Sequence, residues 1–344
     1  MNGRERVQAA YDFRPPDKTP VQYYYAPVGY YEHGERLNDL FARYEGDFQP
    51  FARQPIPRLP AEAFDAQGRY CETRRDEWGT LWRYKIYGVW GMEIEYPLQD
   101  YSLLEAYAFP PLPAYVTGPA AFAREQEAVR RHQRGYFCSR GVGGFFEKLI
   151  SLRPFEDILC DMAGEDKCFL ALLDRLTEYY RQHIEALIRL GVDSIAFGDD
   201  YGTQRGLIFS REMFRKYFMP RYRDLMRPAR EAGIKVHFHS CGKVGPLLED
   251  FRAMGVDSVW PQLPAYDMRR LAACCRDLGL AVAIHTDRAN TMTHGSPEQV
   301  RALVREEYDI FRPDLGGSWF YIEADNGFPL ENIQALVEEV YALR

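Results

Sequence analysis

A chain of 344 residues with 46% hydrophobic and 27% charged residues can bury the core of an ordinary globular enzyme. Its formal net charge of -7 excludes a sequence-independent nucleic-acid binder, whose footprint would be basic, and no run of about 18 apolar residues offers a membrane span. Seven cysteines without framework spacing, and a charged opening "MNGRERVQAAYDFRPPDKTP" that lacks a secretory apolar core, make the cytoplasm the expected compartment.

In chain order, "TPVQYYY" near the start reads as a strand and "GDFQPFA" at 46–52 as a weaker one. Residues 70–100, with aromatic-rich alternation around a central Gly-Val-Trp-Gly, read as an inserted antiparallel β-hairpin. From about residue 135 a rhythm sets in: "GYFCSRG", "DSIAFGDD", "KVHFHSCG", "DSVWPQ", "AVAIHTD" and "WFYIEAD" are apolar runs separated by amphipathic helical stretches. Gly191, Gly233, Gly255 and Gly279 stand where helices would end. Strands alternating with helices imply parallel pairing, and eight strands favour a (β/α)8 TIM barrel over a doubly wound sheet. No Gly-x-Gly-x-x-Gly follows an early strand, which disfavours dinucleotide binding. The whole chain, 1–344, is expected to be one barrel domain carrying the 70–100 hairpin.

Catalytic residues of such barrels come from the C-terminal ends of the strands. Asp199 and Asp200 end one strand, His239 and Cys241 the next, Gln262 another, His285 and Asp287 another, and Glu323 and Asp325 the last. Core strands have no need of carboxylates or imidazoles there. His239 and Cys241 share one face and offer the nitrogen and sulfur that suit Zn²⁺, which keeps a position open in catalytic sites. Glu323 is the expected third ligand, with Asp325 as alternate; the plainer reading pairs Glu323 with Arg288. His237 shares the face one layer deeper and reads as a core histidine or a support for a ligand. Cys274 and Cys275 fall on a helix and are not expected at the metal. Adjacent Asp199 and Asp200 point to opposite sides of an extended chain, so only one can face the pocket. These two and His285 are the catalytic candidates. Ser210 is expected to cap a helix, and Tyr25, Tyr201, Gln204, Gln262 and Asp287 to contact substrate. Trp78, Trp82 and Trp90 are expected either to frame the mouth or simply to pack on the barrel.

In their order along the chain, "RERVQAAYDFRPPDKTPV", "DEWGTLW", "YPLQDY", "GDDYGTQRGLIFSREMFRKYFMPRYRDL", "HFHSCGKVGPLLEDFRAMGVDSV", "THGSPEQVRALVRE" and "PLENIQALVEEV" resemble the uroporphyrinogen decarboxylase superfamily. The closer likeness is to its zinc-dependent corrinoid and coenzyme M-type methyltransferase branch. That resemblance implies a (β/α)8 barrel, zinc as cofactor, and methyl transfer between a corrinoid protein and a small acceptor such as a thiol, within a demethylation pathway. His239 and Cys241 match the branch's His-x-Cys, but its later cysteine is missing, since the region before "PLENI" reads "YIEADNGF". The arginine-rich signature of true decarboxylases is also missing: "YYYAPVGYYEHGE" contains no arginine to meet an octacarboxylate. The competing readings are a lyase acting on a tetrapyrrole or smaller carboxylic acid, with Asp199 or Asp200 as key acid, and a non-catalytic corrinoid or porphyrin binder. A homodimer is compatible with all three.

Overall fold

The computed structural model describes residues 1–344. Its strands are β1 (Val21–Tyr24), β2 (Glu72–Arg75), β3 (Leu81–Tyr84), β4 (Met92–Glu95), β5 (Ser139–Gly141), β6 (Ser194–Gly198), β7 (Lys235–Ser240), β8 (Ser258–Pro261), β9 (Ala281–Ile284) and β10 (Ser318–Glu323). Seven of them form one parallel sheet in the order β1-β10-β9-β8-β7-β6-β5. The fold is α/β and TIM-barrel-like, and each of the six apolar runs after residue 135 contributes a strand. No helix is long and apolar enough to cross a membrane.

The connecting helices show why these segments fold as they do. In the helix Lys167–Leu190, Phe169, Leu172, Leu173, Leu176, Tyr180, Ile184 and Leu187 recur at helical spacing and are buried against the sheet. Asp166 caps its start through the Cys168 and Phe169 amides, and Gly191 ends it in the left-handed conformation at φ 76°. Each such large side chain contributes about 1.5–3 kcal/mol on burial. Ser210 caps the helix Arg211–Tyr217 as expected, accepting from the Met213 amide.

The strand expected at 46–52 does not form. Asp47 nevertheless stands between the two sheet edges: its N–H donates to the Val21 carbonyl (2.8 Å) and its own carbonyl accepts from the Phe137 N–H (2.9 Å). Regular pairing fails because the Asp47 carboxylate accepts the Val21 amide that a ladder would use (2.8 Å), and Pro50 has no N–H. Asp47 is buried and clamped by Arg6 and Arg344.

The N-terminal end of the barrel is closed. Val7, Ala10 and Tyr11 of the helix Gly3–Tyr11 pack with Phe48, Phe137, Ala281, Ala283, Trp319 and Tyr321, and Tyr11 lies 5.4 Å from Phe137 and 5.0 Å from Trp319 between ring centroids.

The insertion is a three-stranded antiparallel sheet, β2-β3-β4, rather than a two-stranded hairpin. Asp76 orders its first turn, accepting from the Trp78 and Thr80 amides and the Trp82 indole, each at 2.9 Å. Thr80 Oγ1 donates to the Ser151 carbonyl and the Leu98 N–H to the Leu152 carbonyl, fastening this sheet to the helix Phe145–Leu152. Its far turn rests on the helix Pro27–His33, with Tyr87 5.5 Å from Tyr31. Trp78 and Trp82 are buried, whereas Trp90 is 81% exposed.

Candidate metal centre

Strand register decides which side chains reach the mouth. His239 pairs with Trp260 on β8 and with Gly198 on β6, and Glu323 pairs with Tyr24 on β1, so these positions share the inward face. Beyond β6 and β7 the two following loops touch. A Cβ at Gly202 would lie 2.6 Å from the Cys241 carbonyl oxygen, and one at Gly242 would lie 2.3 Å from Gly202. Only glycines permit this approach, which sets Cys241 beside Asp200.

Three donors converge there. His239 Nε2 is 3.3 Å from Cys241 Sγ and 3.5 Å from Asp200 Oδ1, and the three ligand atoms all lie within 4.8 Å of one another. His239 Nδ1 is 2.9 Å from the Trp260 carbonyl. A carbonyl can only accept, so Nδ1 carries the proton and Nε2 presents its lone pair to the cluster. A tetrahedral Zn²⁺ with ordinary bond lengths holds nitrogen, sulfur and oxygen ligands about 3.3–3.6 Å apart, so the set fits such an ion. Asp200 Oδ1 also accepts from the Cys241 N–H (2.7 Å) and fixes the loop.

The electrostatics ask for a cation. Burial, reinforced by Asp200 and Glu147, pushes the Cys241 thiol up to about 12. Burial and the neighbouring Asp200, Asp199 and Glu93 carboxylates push Glu147 up to about 8, although its side chain still meets solvent at the mouth. Glu147 has no cationic partner and makes no side-chain hydrogen bond. Burial lowers His239, against the pull of Asp200.

The two adjacent aspartates have separated roles. Asp199 is fully buried and accepts from the Phe145, Phe146 and Glu147 amides at 2.8–3.0 Å and from the Tyr201 and Tyr222 hydroxyls. It anchors the start of the helix Phe145–Leu152, where Gly144 leaves no room for a Cβ: one would sit 2.1 Å from the Gly198 carbonyl oxygen. Asp199 is therefore withdrawn from the catalytic candidates, because its acceptor capacity is consumed in the core. Tyr201 is withdrawn from the substrate contacts for the same reason, being 1% exposed with its hydroxyl on Asp199.

Other expected contacts are also redistributed. Tyr25 joins an aromatic cluster with Tyr23, Tyr30, Phe41 and Phe51, and Tyr24 takes the inward position beside Tyr321. Asp287 orders its own loop by accepting from the Ala289 and Asn290 amides. Gln204 donates to Gln262 Oε1 (3.1 Å), which also accepts from the Gly242 N–H, so the two glutamines brace the Cys241 loop.

Glu323 lies outside the three-donor set. Its Oε1 is 3.1 Å from His285 Nε2 and 3.8 Å from Arg288, which also pairs with Asp325. The His285 contact is close but not aligned as a hydrogen bond, leaving Oε1 buried without a donor. Burial works against ionisation of Glu323, yet His285 and Arg288 hold its carboxyl below the usual range. Trp260 separates this pair from the donors, 4.1 Å from His239, 4.3 Å from Tyr321 and 5.4 Å from His285. Cys274 and Cys275 lie away from it all on the helix Met268–Leu278.

Glu147, Glu93 and Trp260 were not singled out by the sequence. Glu147 stands in the first turn of a helix that follows a strand and a glycine pair, which is the signal that could have found it.

No curated protein sequence matches the chain. Among solved structures, a methyltransferase from Methanosarcina mazei superposes with a TM-score of 0.65, covering 99% of both chains at 16% identity. A dihydropteroate synthase from Anaplasma phagocytophilum reaches a TM-score of only 0.34 over 50% of this chain and 68% of its own, at 18% identity. The former agrees with the barrel-like fold over the full length. A model of the family described as uroporphyrinogen decarboxylase (URO-D) matches residues 142–343, well over half the chain and the part that holds every donor above, so the protein belongs to the URO-D family.

Proposed function

We propose that this protein is a zinc-dependent methyltransferase moving a methyl group between a corrinoid protein and a small acceptor, a thiol in the simplest case, within a single (β/α)8 domain. The observation that carries the reading is the convergence of Asp200, His239 and Cys241, with the histidine tautomer set by the Trp260 carbonyl. Asp200 takes the place expected of Glu323 as third ligand. The metal, when bound, supplies a Lewis acid that lowers the pKa of an acceptor thiol or hydroxyl and so makes a nucleophile at neutral pH.

The chain's own groups do the rest. His239, Cys241 and Asp200 would hold the ion where the loops after β6 and β7 meet. His285, with Glu323 3.1 Å from its Nε2, lies across Trp260 from His239 and would receive the proton that the acceptor gives up. Trp260 and Tyr321, with ring centroids 4.3 Å apart, pack between His239 and His285. The overall fold shared with a methyltransferase supports this reading. Decarboxylation of a polycarboxylate is disfavoured: Asp200, Glu147, Glu93, Glu323 and Asp325 surround the mouth, and Arg288 already pairs with two of these carboxylates.

Metal analysis of the purified full-length chain tests the proposal. Zinc should co-purify, be lost on Cys241→Ala and survive Cys274→Ala. Zinc retained without Cys241 would end it.

A further inference from the structure

Along β7 and β6 burial alternates in an unexpected sense. The outward residues Val236, Phe238, Ile195 and Phe197 are at most 3% exposed, whereas the inward Ala196, Gly198, His237 and His239 keep accessible surface. In a barrel of this kind the inward side chains normally fill the interior. Here Ser139, Gly141, Ser194, Ala196 and Gly198 make one inner wall entirely of small residues, and a Cβ added at Gly141 or Gly198 would meet nothing within 4 Å. A slot therefore descends from the mouth, past His239, to His237.

His237 is held from behind. Its Nδ1 is 2.8 Å from Ser258 Oγ, which is 3.0 Å from the Tyr11 hydroxyl at the closed end. No protein group hydrogen-bonds Nε2. The one lysine or arginine at the inward positions of β5, β6 and β7 is Lys235, at the N-terminal start of β7, and Asp12 already holds its ammonium (2.7 Å), so a carboxylate in the slot would be buried without a free counter-charge.

We propose that this slot is a substrate subsite beneath the metal centre, taking a slender, uncharged, hydroxyl- or amide-bearing group that hydrogen-bonds His237 Nε2, with Ala196 and Gly198 setting its width. The assignment rests on the mouth being the reaction site, and it makes His237 a positioning residue. An elongated substrate would anchor its polar tail below and present its reacting end to the zinc side above.

Histidine-labelled (¹⁵N) full-length protein, with His237 assigned through a His237→Asn variant, is titrated with 1,2-ethanediol and separately with sodium acetate as probes. The diol should shift His237 Nε2 saturably and acetate should leave it unmoved. Ala196→Leu should abolish the response while zinc content is unchanged. Gly198→Ala, a single methyl placed in open space, should fold with an unchanged or slightly raised Tm and weaken the response several-fold. A His237 signal indifferent to the diol, an equal response to acetate, a response that survives Ala196→Leu, or a steep fall in Tm for Gly198→Ala would each overturn the proposal. Loss of zinc binding with the His237 response intact would instead defeat only the methyltransferase reading.

Discussion

The two ends of the barrel are built on opposite principles. At the N-terminal end Tyr11, Phe137 and Trp319 close the interior with interlocking rings and no unpaired charge. At the C-terminal end glycines and short loops hold the strands open, and carboxylates, a thiol and imidazoles gather without enough cations to balance them. One end is neutral as it stands; the other gathers the donors that the proposed zinc would balance. Residues at the floor should thus govern stability, and residues at the mouth should govern binding.

The largest expected effect is at the floor. Trp319→Ala should cost about 3–5 kcal/mol in denaturant unfolding, since the indole is fully buried, with any zinc affinity preserved in the fraction that folds. At the mouth the pattern inverts: Cys241→Ala or His239→Ala should weaken zinc binding at least about a hundredfold, roughly 2.7 kcal/mol, with little change in the melting of the metal-free protein. Because Cys241 and Glu147 both bind protons more tightly than usual, zinc uptake should release protons, and calorimetry should show affinity falling as the pH is lowered. An affinity indifferent to pH would detach these groups from the ion.

The adjacent aspartates sharpen the comparison further. Asp199→Ala should cost about 1–3 kcal/mol by leaving buried amides and hydroxyls without an acceptor. Asp200→Asn should leave stability nearly intact and weaken zinc about tenfold or more. Equal losses from both would erase the distinction between anchor and ligand.

The smallest effect concerns the wall. Burial pushes Glu307, which is 1% exposed, up to about 8, with the Thr286 hydroxyl opposing. Its folded-state pKa lies above that of the unfolded chain, so its contribution is complete below the ordinary carboxylate range and is lost as pH rises towards 8. Glu307→Gln should flatten that part of the stability profile by a few degrees in Tm between pH 5 and 9.

Much of this was legible in the sequence because periodicity encodes it. Alternation in "KVHFHSCG" put His237, His239 and Cys241 on one side, and helix-ending glycines marked the strand starts. Two kinds of fact were not legible. Whether Asp199 or Asp200 faces the pocket depends on which finds donors, and the donors sit more than 50 residues away at 145–147. Asp200, rather than Glu323, stands beside His239 and Cys241 because Gly202 and Gly242 let two loops press together, a contact that no local pattern encodes. The seam at 46–52 has the apolar content of a strand and yet forms none; the decisive event is a side chain displacing a ladder bond.

That seam has a consequence for how the molecule is assembled. The Asp47 carboxylate is satisfied by Arg6 and by Arg344, the latter 297 residues along the chain. During synthesis the early segments hold that acid with Arg6 alone, until Arg344 arrives to complete the clamp. Closure of the ring is thereby a late, long-range event, and an unfinished polypeptide is expected to remain ajar and vulnerable to proteases along this line.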